Sequence, residues 1–310
     1  MSAPAAGPAT AVPLVSAVVV SWNAREDLLR CLASLRTQPV PVETIVVDNA
    51  SADGSVAAVQ ASFPKACVVE NAGNEGFARA NNRGLREARA PYVLILNPDA
   101  ELRPDALQVL VRHLDEHPQV GAVAPRTRNE DGSIQVSFGR DLSFGSEWSQ
   151  RRLVRGVRAR EKSVLLEVEA LASRAWEPDW VSGSCLLARR EAIDAVGGFD
   201  EGFFLYEEDA DLCRRLRLAG WRIAFTPEAE VVHRLGRSMA RSPVRARAEY
   251  HRSHVRYYRK HNGPLATLGL RALIAASAVG SLVSSLGAGD DARTRREEAR
   301  TALGIALRGA

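Results

Sequence analysis

The sequence predicts an α/β fold with a mostly parallel sheet that is covered by helices on both faces. Residues 15–21 (VSAVVVS) and 92–96 (YVLIL) are apolar runs, and residues 25–36 carry leucine at helical spacing. Continuous apolar runs are typical of strands buried on both faces. Strands that alternate with helices favour parallel pairing, so these observations together predict the fold class.

The predicted elements of the first half follow one another through short connections. Strands are expected at residues 15–21, 44–47, 66–69, 92–96 and 120–125, and helices at residues 25–36, 53–63, 77–88 and from Pro104 onward. Proline is common at the first helical position because its missing N–H group is not needed there.

The alternation of strands and helices weakens after residue 125. Asp131-Gly132 predicts a hairpin turn between Arg126 and Phe138. Residues 151–175 are rich in charge and predict a helical insertion. Further strands are expected at residues 180–188, 221–225 and 229–233.

The C-terminal part has a different character. Residues 244–261 predict a basic helix with three tyrosines, and residues 265–286 form an apolar segment that Arg271 interrupts. Its uncharged part, residues 272–287, is shorter than the roughly 20 residues of a membrane-spanning helix. Two interpretations remain open: peripheral contact with an anionic membrane, or a helical cap that completes the core or a contact between subunits of a homo-oligomer.

Composition bounds the class of protein. The 310 residues suffice for one large domain or for one domain with an appendage, and the formal net charge is +4. Arginine is concentrated in residues 140–160 and 234–260, but no helix-turn-helix or aromatic RNA-binding signature accompanies it. We therefore expect no nucleic-acid partner.

Cysteine usage and the N-terminus indicate a cytoplasmic protein. The four cysteines form no CxxC pair and lie in apolar patterns, which predicts reduced, buried thiols without disulfides or zinc: Cys31, Cys67, Cys185 and Cys213. Residues 1–13 have neither a basic start nor a continuous apolar run, so we expect a disordered tail and not a secretory signal.

Polar side chains follow several of the predicted strands. Asn23, Asp48, Asn71 and Asp99 each come just after a strand. Ligands of open α/β sheets bind beyond the carboxyl ends of the strands, so these residues predict one polar site. Asp48 taken alone is better explained by a structural N-cap or Asx turn, a common use of aspartate after a strand.

A divalent cation fits the residues that follow the fourth strand. Asp99 can ligate a hard cation that bridges two phosphates, and His233 at the end of a later strand is the candidate for a further ligand. The alternative is a histidine with a purely structural role. Imidazole together with carboxylate suits Mn²⁺ at least as well as Mg²⁺.

Residues 74–84 (NEGFARANNRG) combine glycine, asparagine and arginine in a short span. The pattern lets backbone approach a ligand near a helix start, where Arg79 can meet a phosphate and Asn82 a sugar or base. A solvent-exposed helix face is the alternative. The span is neither a GxGxxG fingerprint nor a Walker loop. This motif therefore supports neither a dehydrogenase nor an ATPase.

Residues 206–221 (YEEDADLCRRLRLAGW) place four acids at the start of an amphipathic helix: Glu207, Glu208, Asp209 and Asp211. Acids are common in a first helical turn because the free amides favour negative charge. These acids, however, follow the glycine turn GGFDEGFF (residues 197–204) and share the chain with the acidic strand ends Asp48 and Asp99. We therefore expect them to complete the polar site.

Six segments in succession resemble family 2 glycosyltransferases, and specifically their rhamnosyltransferase-like branch. They are VVVSWNAREDLLRCLASL, VETIVVDNASADGS, GNEGFARANNRG, YVLILNPDAEL, VSGSCLLARREAIDAVGGFDEGFFLYEEDADLCRRLRLAGW and VVHRLGRS, between residues 15 and 238. The resemblance implies a GT-A fold and inversion at the anomeric carbon. It also implies a nucleotide-sugar half (14–125), an acceptor and catalytic half (126–240) and a basic and apolar helical extension (241–310).

The resemblance assigns roles to individual residues. Asp48 would contact the nucleoside, Asp99 would be the remaining acid of a DxD motif reduced to Asn97-x-Asp99, and His233 would be a metal ligand. Asp209 would be the general base, with Glu208 beside it in the motif. The expected donor-binding residues are Ser21, Asn23, Asp48, Gly76, Arg79, Asn82, Asn97 and Asp99, and the expected acceptor-side residues are Gly183, Asp200 and Trp180.

The resemblance implies a metal-assisted sugar transfer. The donor would be a nucleotide sugar such as dTDP-L-rhamnose, the cofactor Mg²⁺ or Mn²⁺, and the acceptor a cell-envelope glycan or a lipid-linked glycan at the inner face of the plasma membrane. Galactofuranose or N-acetylglucosamine are alternative sugars, and a non-catalytic nucleotide-sugar-binding protein is an alternative function. A nucleotidyltransferase would need a glycine-rich basic loop after the first strand, which SWNARED lacks.

Overall fold

An eight-stranded sheet runs through the centre of the molecule, in the order β3-β2-β1-β4-β9-β6-β10-β5. The structure, a computed structural model, describes residues 12–234, 243–285 and 290–308. The strands of this sheet are β1 (Val15–Ser21), β2 (Val42–Asp48), β3 (Cys67–Glu70), β4 (Tyr92–Leu96), β5 (Ala100–Leu102), β6 (Val120–Arg128), β9 (Cys185–Arg189) and β10 (Arg222–His233). A separate antiparallel pair consists of β7 (Phe138–Gly139) and β8 (Trp180–Val181).

Most neighbouring strands are parallel, as the sequence predicts. β1 pairs in parallel with β2 and β4, β2 with β3, and β6 with β10. Two strands run the other way: β9 is antiparallel to both β4 and β6, and the short β5 is antiparallel to β10. The predicted α/β class with a mostly parallel sheet is therefore confirmed.

Helices cover both faces of the sheet and continue into a C-terminal helical region. They are α1 (Arg25–Arg36), α2 (Ser55–Ser62), α3 (Phe77–Glu87), α4 (Ala106–Glu116), α5 (Phe144–Arg158), α6 (Lys162–Ala172), α7 (Arg190–Ala195), α8 (Glu208–Leu218), α9 (Pro243–His261), α10 (Gly263–Ser284) and α11 (Asp290–Arg308). Apolar side chains form one core on each face, and these two cores bury nearly all of β1 and β4 between them.

Several predicted boundaries were wrong for identifiable reasons. The two strands expected at residues 221–225 and 229–233 are one strand, β10, with an irregularity between Thr226 and Glu230 around Pro227, which lacks the N–H group for regular pairing. The strand expected at residues 180–188 is split into β8 and β9. The insertion expected at residues 151–175 forms α5 and α6, and α5 begins earlier because Ser143 provides its N-cap.

The cysteine prediction holds for three of the four thiols. Cys31, Cys185 and Cys213 are buried and free, whereas Cys67 is free but exposed. The prediction for Cys67 was wrong because it begins β3, which lies at the edge of the sheet and is only partly covered. The predicted disordered tail lies outside the described residues, apart from residues 12 and 13.

The first C-terminal helix is part of the core, while the second is largely open. Tyr257 and Tyr258 of α9 are fully buried. Within the described ranges α10 is the one helix long and apolar enough to cross a membrane, and 22% of its most apolar window is buried. It exposes Leu265, Leu268, Leu273, Val279 and Val283.

The packing of α3 on the sheet generates a stability prediction. A Cβ atom added at Gly84 would overlap Val18 Cγ1 and lie 3.1 Å from Val47 Cγ2. Overpacking a rigid core costs about 1–3 kcal/mol. We expect Gly84→Val to lower the free energy of unfolding by about 2 kcal/mol in urea titrations.

The matched control for this prediction is Gly280→Val. Gly280 is also helical, but nothing lies within 4 Å of its added Cβ. Its substitution should change the free energy of unfolding by no more than about 0.5 kcal/mol. Equal losses in both variants would contradict close packing of α3.

Candidate active site

Backbone pairing brings the carboxyl ends of β2, β1 and β4 to one edge of the sheet. Ser21 is the register partner of Asp48, and Val19 is the register partner of Leu96. The residues that follow β4 therefore lie next to the end of β1. The sequence prediction that these polar strand ends are neighbours in space agrees with this arrangement.

Buried polar atoms without partners mark the ends of β1 and β2. Asp48 Oδ2 accepts a hydrogen bond of 2.8 Å from the Ser51 N–H group. Within the described part of the chain, Asp48 Oδ1 and Ser21 Oγ are buried and have no hydrogen-bond partner. A buried polar atom without a partner costs free energy, so both atoms fit a ligand that supplies hydrogen-bonding groups.

Asn23 shapes the loop that follows β2. Its backbone is left-handed, with φ +52°. Its N–H group donates to Ser51 Oγ (2.8 Å), and its Oδ1 accepts from the Ala52 N–H group (2.7 Å). Asn23 therefore positions the loop beside Asp48, and a direct donor contact for Asn23 stays a prediction.

A chain of amides fixes the loop that precedes α3. Asn71 Nδ2 donates to Asn49 Oδ1 (2.6 Å), and Asn49 Nδ2 donates to the carbonyl of Gly76 (3.2 Å). Gly76 has φ +85°, and a Cβ there would overlap the carbonyl of Phe204. That same carbonyl accepts from the Phe77 N–H group (2.7 Å). Only glycine fits where these two loops meet, which gives Gly76 a definite structural role.

The side chains of α3 face a different partner from the one expected. Asn82 Oδ1 accepts from the Phe199 N–H group (2.8 Å) and Asn82 Nδ2 donates to the Phe199 carbonyl (2.9 Å), so both ends of its amide hold the glycine turn. Arg79 Nε pairs with Glu201 Oε2 at 3.1 Å, and both side chains are well exposed. Contacts of Asn82 with a sugar and of Arg79 with a phosphate stay predictions.

The end of β4 meets the end of β10. His233 Nε2 lies 3.2 Å from Asp99 Oδ1 and 3.2 Å from Asn97 Nδ2. His233 pairs in register with Ala100, which explains the proximity. The described residues contain no group of three or more His, Cys, Asp or Glu side chains around a common point. This corner therefore offers a carboxylate, an imidazole and an amide.

Gln135 sets the orientation of the His233 ring. Its Nε2 donates to the carbonyl of His233 and to Asn129 Oδ1, both at 2.7 Å. Its Oε1 therefore accepts from His233 Nδ1, at 3.0 Å. The proton is thus assigned to Nδ1, and the Nε2 lone pair points toward Asp99, the arrangement found around histidines that bind metals. No pattern in the sequence singles out Gln135.

A second link connects this corner to the acids of α8. The Asn97 N–H group donates to the Ser184 carbonyl at 2.9 Å. The neighbouring Gly183 N–H group donates to Asp209 Oδ2, also at 2.9 Å. The backbone of Gly183 and Ser184 therefore connects the Asp209 carboxylate to Asn97, the first residue after β4. Gly183, a predicted acceptor-side residue, contacts Asp209 through its backbone N–H group.

The environments of Glu208 and Asp209 favour their protonated forms. Burial raises the pKa of Asp209, and the charge of Glu207 adds to this, while the Gly183 N–H group acts in the opposite direction. Burial, followed by repulsion from Asp209, raises the pKa of Glu208 well above its usual range. Carboxyl groups with raised pKa values in a cleft are candidates for proton transfer.

The backbone before α8 is strained and supported from α9. Tyr206 and Glu207 have left-handed backbone conformations, with φ +71° and φ +64°. For a residue other than glycine, this conformation costs about 1–3 kcal/mol of stability. Glu207 Oε1 accepts from His254 Nδ1 at 2.9 Å. The other ring nitrogen of His254 lies 3.0 Å from Glu147 Oε2, so one buried imidazole bridges two carboxylates.

Two predicted acceptor-side residues have structural partners. Asp200 binds Arg256 (2.9 Å) and Lys260 (2.7 Å) of α9, and although burial raises its pKa, the hydrogen bond from Lys260 and its other partners lower it to about 2. Trp180 Nε1 donates to the carbonyl of Arg140 at 2.9 Å. Contacts of Asp200 and Trp180 with an acceptor stay predictions.

Comparison with known sequences connects this geometry to a family. The profile of Glycosyl transferase family 2 matches residues 16–197. The chain is 32% identical to the N-acetylglucosaminyl-diphospho-decaprenol L-rhamnosyltransferase of Mycobacterium tuberculosis, over 76% of this chain and 81% of that protein. The chain belongs to glycosyltransferase family 2. Rhamnosyltransferase WbbL of Escherichia coli is 26% identical, over 71% of this chain and 83% of that protein.

Solved structures agree with the family 2 assignment at the level of fold. Mannosyltransferase PcManGT from Pyrobaculum calidifontis, in complex with GDP-Man and Mn²⁺, matches with a TM-score of 0.58 at 20% identity, over 98% of this chain and 90% of that one. TarS 1–349 of S. aureus in complex with UDP-GlcNAc matches with a TM-score of 0.54 at 16% identity, over 95% and 92%. This family 2 chain is thus a glycosyltransferase of the GT-A fold, as the resemblance implied.

The buried imidazole bridge predicts a pH dependence of stability. Burial lowers the pKa of His254, but hydrogen bonds to Glu147 and Glu207 raise it from 6.5 to about 9. The folded pKa lies above the unfolded one, so the contribution is complete below pH 6.5 and is lost as the pH rises through about 9. We expect on the order of 3 kcal/mol of unfolding free energy to disappear over this window.

Urea titrations between pH 6 and pH 10 would measure this loss in the native chain and in His254→Gln. The variant cannot become an imidazolium, so its stability should be lower at pH 6 and flatter above pH 7. Parallel declines in both proteins would show that another group titrates.

Proposed function

We propose that this glycosyltransferase is an inverting rhamnosyltransferase that uses a nucleotide-sugar donor such as dTDP-L-rhamnose. The acceptor would be a hydroxyl of a lipid-linked or cell-envelope glycan. The single observation that carries the proposal is Asp209, a carboxylate with a raised pKa that the Gly183 N–H group holds beside the corner formed by Asp99 and His233. The names of the mycobacterial and E. coli relatives support rhamnose as the sugar.

The residues at the end of β4 fit a divalent cation. Asp99 Oδ1 and His233 Nε2 lie 3.2 Å apart, and Gln135 keeps the Nε2 lone pair directed toward the carboxylate. Asp99 and His233 would hold Mg²⁺ or Mn²⁺, with donor phosphate oxygens and water completing the ligand set. A bound cation would stabilise the negative charge that develops on the departing diphosphate.

The remaining chemistry is assigned to protein side chains. Ser21 and Asp48 would bind the nucleoside through their buried unpartnered oxygens. Asp209 would take the proton of the acceptor hydroxyl while that oxygen forms its bond to the anomeric carbon. The bond from the anomeric carbon to the diphosphate breaks on the opposite face, so one displacement inverts the configuration.

Other donor sugars would use the same site residues, whereas a non-catalytic binding protein would not need all of them. Galactofuranose or N-acetylglucosamine would use the same acids and the same corner, so the donor identity rests on the relatives' names. A non-catalytic nucleotide-sugar-binding protein has no need for a base with a raised pKa beside a metal corner. The presence of Asp99, Asp209 and His233 therefore favours an enzyme.

The proposed reaction would take place in the cytoplasm, on the inner face of the plasma membrane. The exposed leucines of α10 support peripheral contact with lipid, since an exposed apolar helix face is otherwise unfavourable in water. The same face would also suit a second copy of this chain. In either arrangement residues 14–125 would form the donor half and residues 126–240 the acceptor half.

Replacement of the proposed base tests the mechanism. Asp209→Asn keeps an oxygen that can accept from Gly183 but removes the basic carboxylate. We expect kcat for sugar transfer to fall at least about a hundredfold, while the Kd for the nucleoside diphosphate, measured by calorimetry, stays within about twofold. Glu208→Gln is the matched comparison, and a loss confined to that variant would move the role of base to Glu208.

Replacement of Gln135 tests the metal corner. Gln135→Leu frees the His233 ring, and loss of such an outer-shell partner costs roughly 10–100-fold in metal affinity. We expect this loss in direct Mn²⁺ titrations of the folded variant. Gln135→Glu, which still accepts from Nδ1, should retain affinity within about threefold; equal Mn²⁺ affinity in all three proteins would refute the assignment of the corner.

A further inference from the structure

One face of α9 holds the loop that precedes α8. Three successive loop residues contact three residues of α9: Leu205 with Ser253, Tyr206 with Tyr250, and Glu207 with His254. Two of these contacts are hydrogen bonds, of 2.7 Å at the Leu205 carbonyl and 2.9 Å at the Glu207 carboxylate. Residues three and four positions apart share one face of a helix, so the three α9 residues form a single surface. The loop is therefore attached to α9 residue by residue.

Two of the held residues have strained backbones. Tyr206 and Glu207 are both left-handed, a conformation that residues other than glycine adopt only at a cost in free energy. Glu207 is also the N-cap of α8, and its carbonyl accepts from the Asp211 N–H group at 2.9 Å. Relaxation of either backbone would turn the first helical residues, Glu208 and Asp209. Contacts from outside the loop are therefore needed to keep the start of α8 in place.

His254 makes the charged contact among the three and is itself fixed. Its Nε2 lies 3.0 Å from Glu147 Oε2, and Glu147 also binds Tyr258 and Arg151. The ring of Tyr250 stacks on the imidazole, with 5.4 Å between the ring centroids and 15° between the planes. Both ring nitrogens of His254 face carboxylate oxygens, so both donate and the ring is an imidazolium. Charge-assisted hydrogen bonds are roughly twice as strong as neutral ones, which makes His254 the strongest of the three contacts.

The start of α8 sets the position of the proposed base. Asp209 is the second residue of the helix, and its Oδ2 accepts from the Gly183 N–H group at 2.9 Å. Hydrogen bonds weaken steeply as their distance and angle depart from the optimum, so this one tolerates little displacement of the helix. Its geometry therefore depends on Glu207, two residues earlier, and through Glu207 on His254.

We propose that His254 is a positioning residue for the sugar transfer. Its Nδ1–H group holds Glu207, which fixes the first turn of α8. That turn in its place directs the Asp209 carboxylate to the Gly183 N–H group. The inference deepens the proposed function and rests on it for one point, the role of Asp209 as the base. The contact with Glu147 has a different role, since it anchors His254 to α5 and does not touch the loop.

Two substitutions of His254 separate its two contacts. The amide nitrogen in His254→Asn is as many bonds from the backbone as Nδ1, so it can still donate to Glu207 but cannot reach Glu147. The longer amide in His254→Gln can place its nitrogen where Nε2 lies, so this variant keeps the contact with Glu147 and loses the one with Glu207. Each variant loses the imidazolium charge and one hydrogen bond, so each is the matched control for the other.

Turnover of dTDP-L-rhamnose by the full chain, with Mn²⁺ and with water as the acceptor, measures the effect on the reaction. We expect His254→Gln to lower kcat at least about tenfold, because a misplacement of about 1 Å can cost a hundredfold in rate. His254→Asn should retain kcat within about threefold, since it keeps the contact with Glu207. KM for the donor should stay within about twofold in both variants, because no donor-binding residue is altered. Equal losses of kcat in the two variants would overturn the proposal.

Hydrogen exchange of the Gly183 amide tests the positioning contact without any need for activity. This amide binds Asp209, so its protection reports where the carboxylate lies. In NMR measurements on the unliganded chain, we expect exchange to be at least about tenfold faster in His254→Gln than in the native chain. His254→Asn should exchange at the native rate. The same exchange rate in both variants would contradict the proposal.

Glu207→Ala breaks the same contact from the side of the loop and replaces His254→Gln if that variant does not fold. It should lose as much kcat as His254→Gln, and the double variant should lose no more than either, because all three lack one and the same contact. Additive losses would refute an action of His254 through Glu207. Absence of turnover in the native chain would count against the proposed function with this donor, and exchange of the Gly183 amide would then still decide whether His254 positions Asp209.

Discussion

The free-energy cost of burying carboxylates divides the acids before and within α8 into two groups. Asp211 is fully buried, but His261, Lys260 and Arg215 contact it, and although burial raises its pKa these partners lower it. Glu207 is likewise paired, with His254. Glu208 and Asp209 have no such cation among their hydrogen-bond partners in the described chain, and burial raises the pKa of both. Buried carboxyl groups with raised pKa values are candidates for proton transfer, the role proposed for Asp209.

This division could not be predicted from the sequence, although the four acids could. First-turn acids are common on structural grounds alone, and what separates Asp211 from Asp209 is the position of α9, roughly fifty residues later in the chain. Partners that are distant in sequence also limited the interpretation of α3. The span of residues 74–84 predicted a helix start near a ligand, but the partner of Asn82 is a turn more than a hundred residues away.

Local sequence patterns correctly predicted the bounds of elements whose formation depends on burial of neighbouring residues. The bounds of β1, α1 and β4 agree with the apolar runs because strands buried on both faces leave no alternative to a continuous apolar sequence. Gln135 had no signal, since an amide in a short loop becomes informative only once His233 is next to it. α9 illustrates the converse, because its tyrosines and basic residues suggested a membrane surface, whereas Tyr257, Tyr258 and His254 are buried against the rest of the protein.

The antiparallel strand β9 explains how a mostly parallel sheet brings its acids together. In a purely parallel sheet only the residues after each strand lie at the ligand edge. Because β9 is antiparallel, Cys185 at its start pairs with Leu96 at the end of β4, so the residues that precede β9 lie at that edge. These are Gly183 and Ser184, and their backbone connects Asp209 to Asn97. One reversed strand thus connects the α8 acid through backbone to the strand end that carries Asn97 and Asp99, which is the arrangement that the proposed single displacement needs.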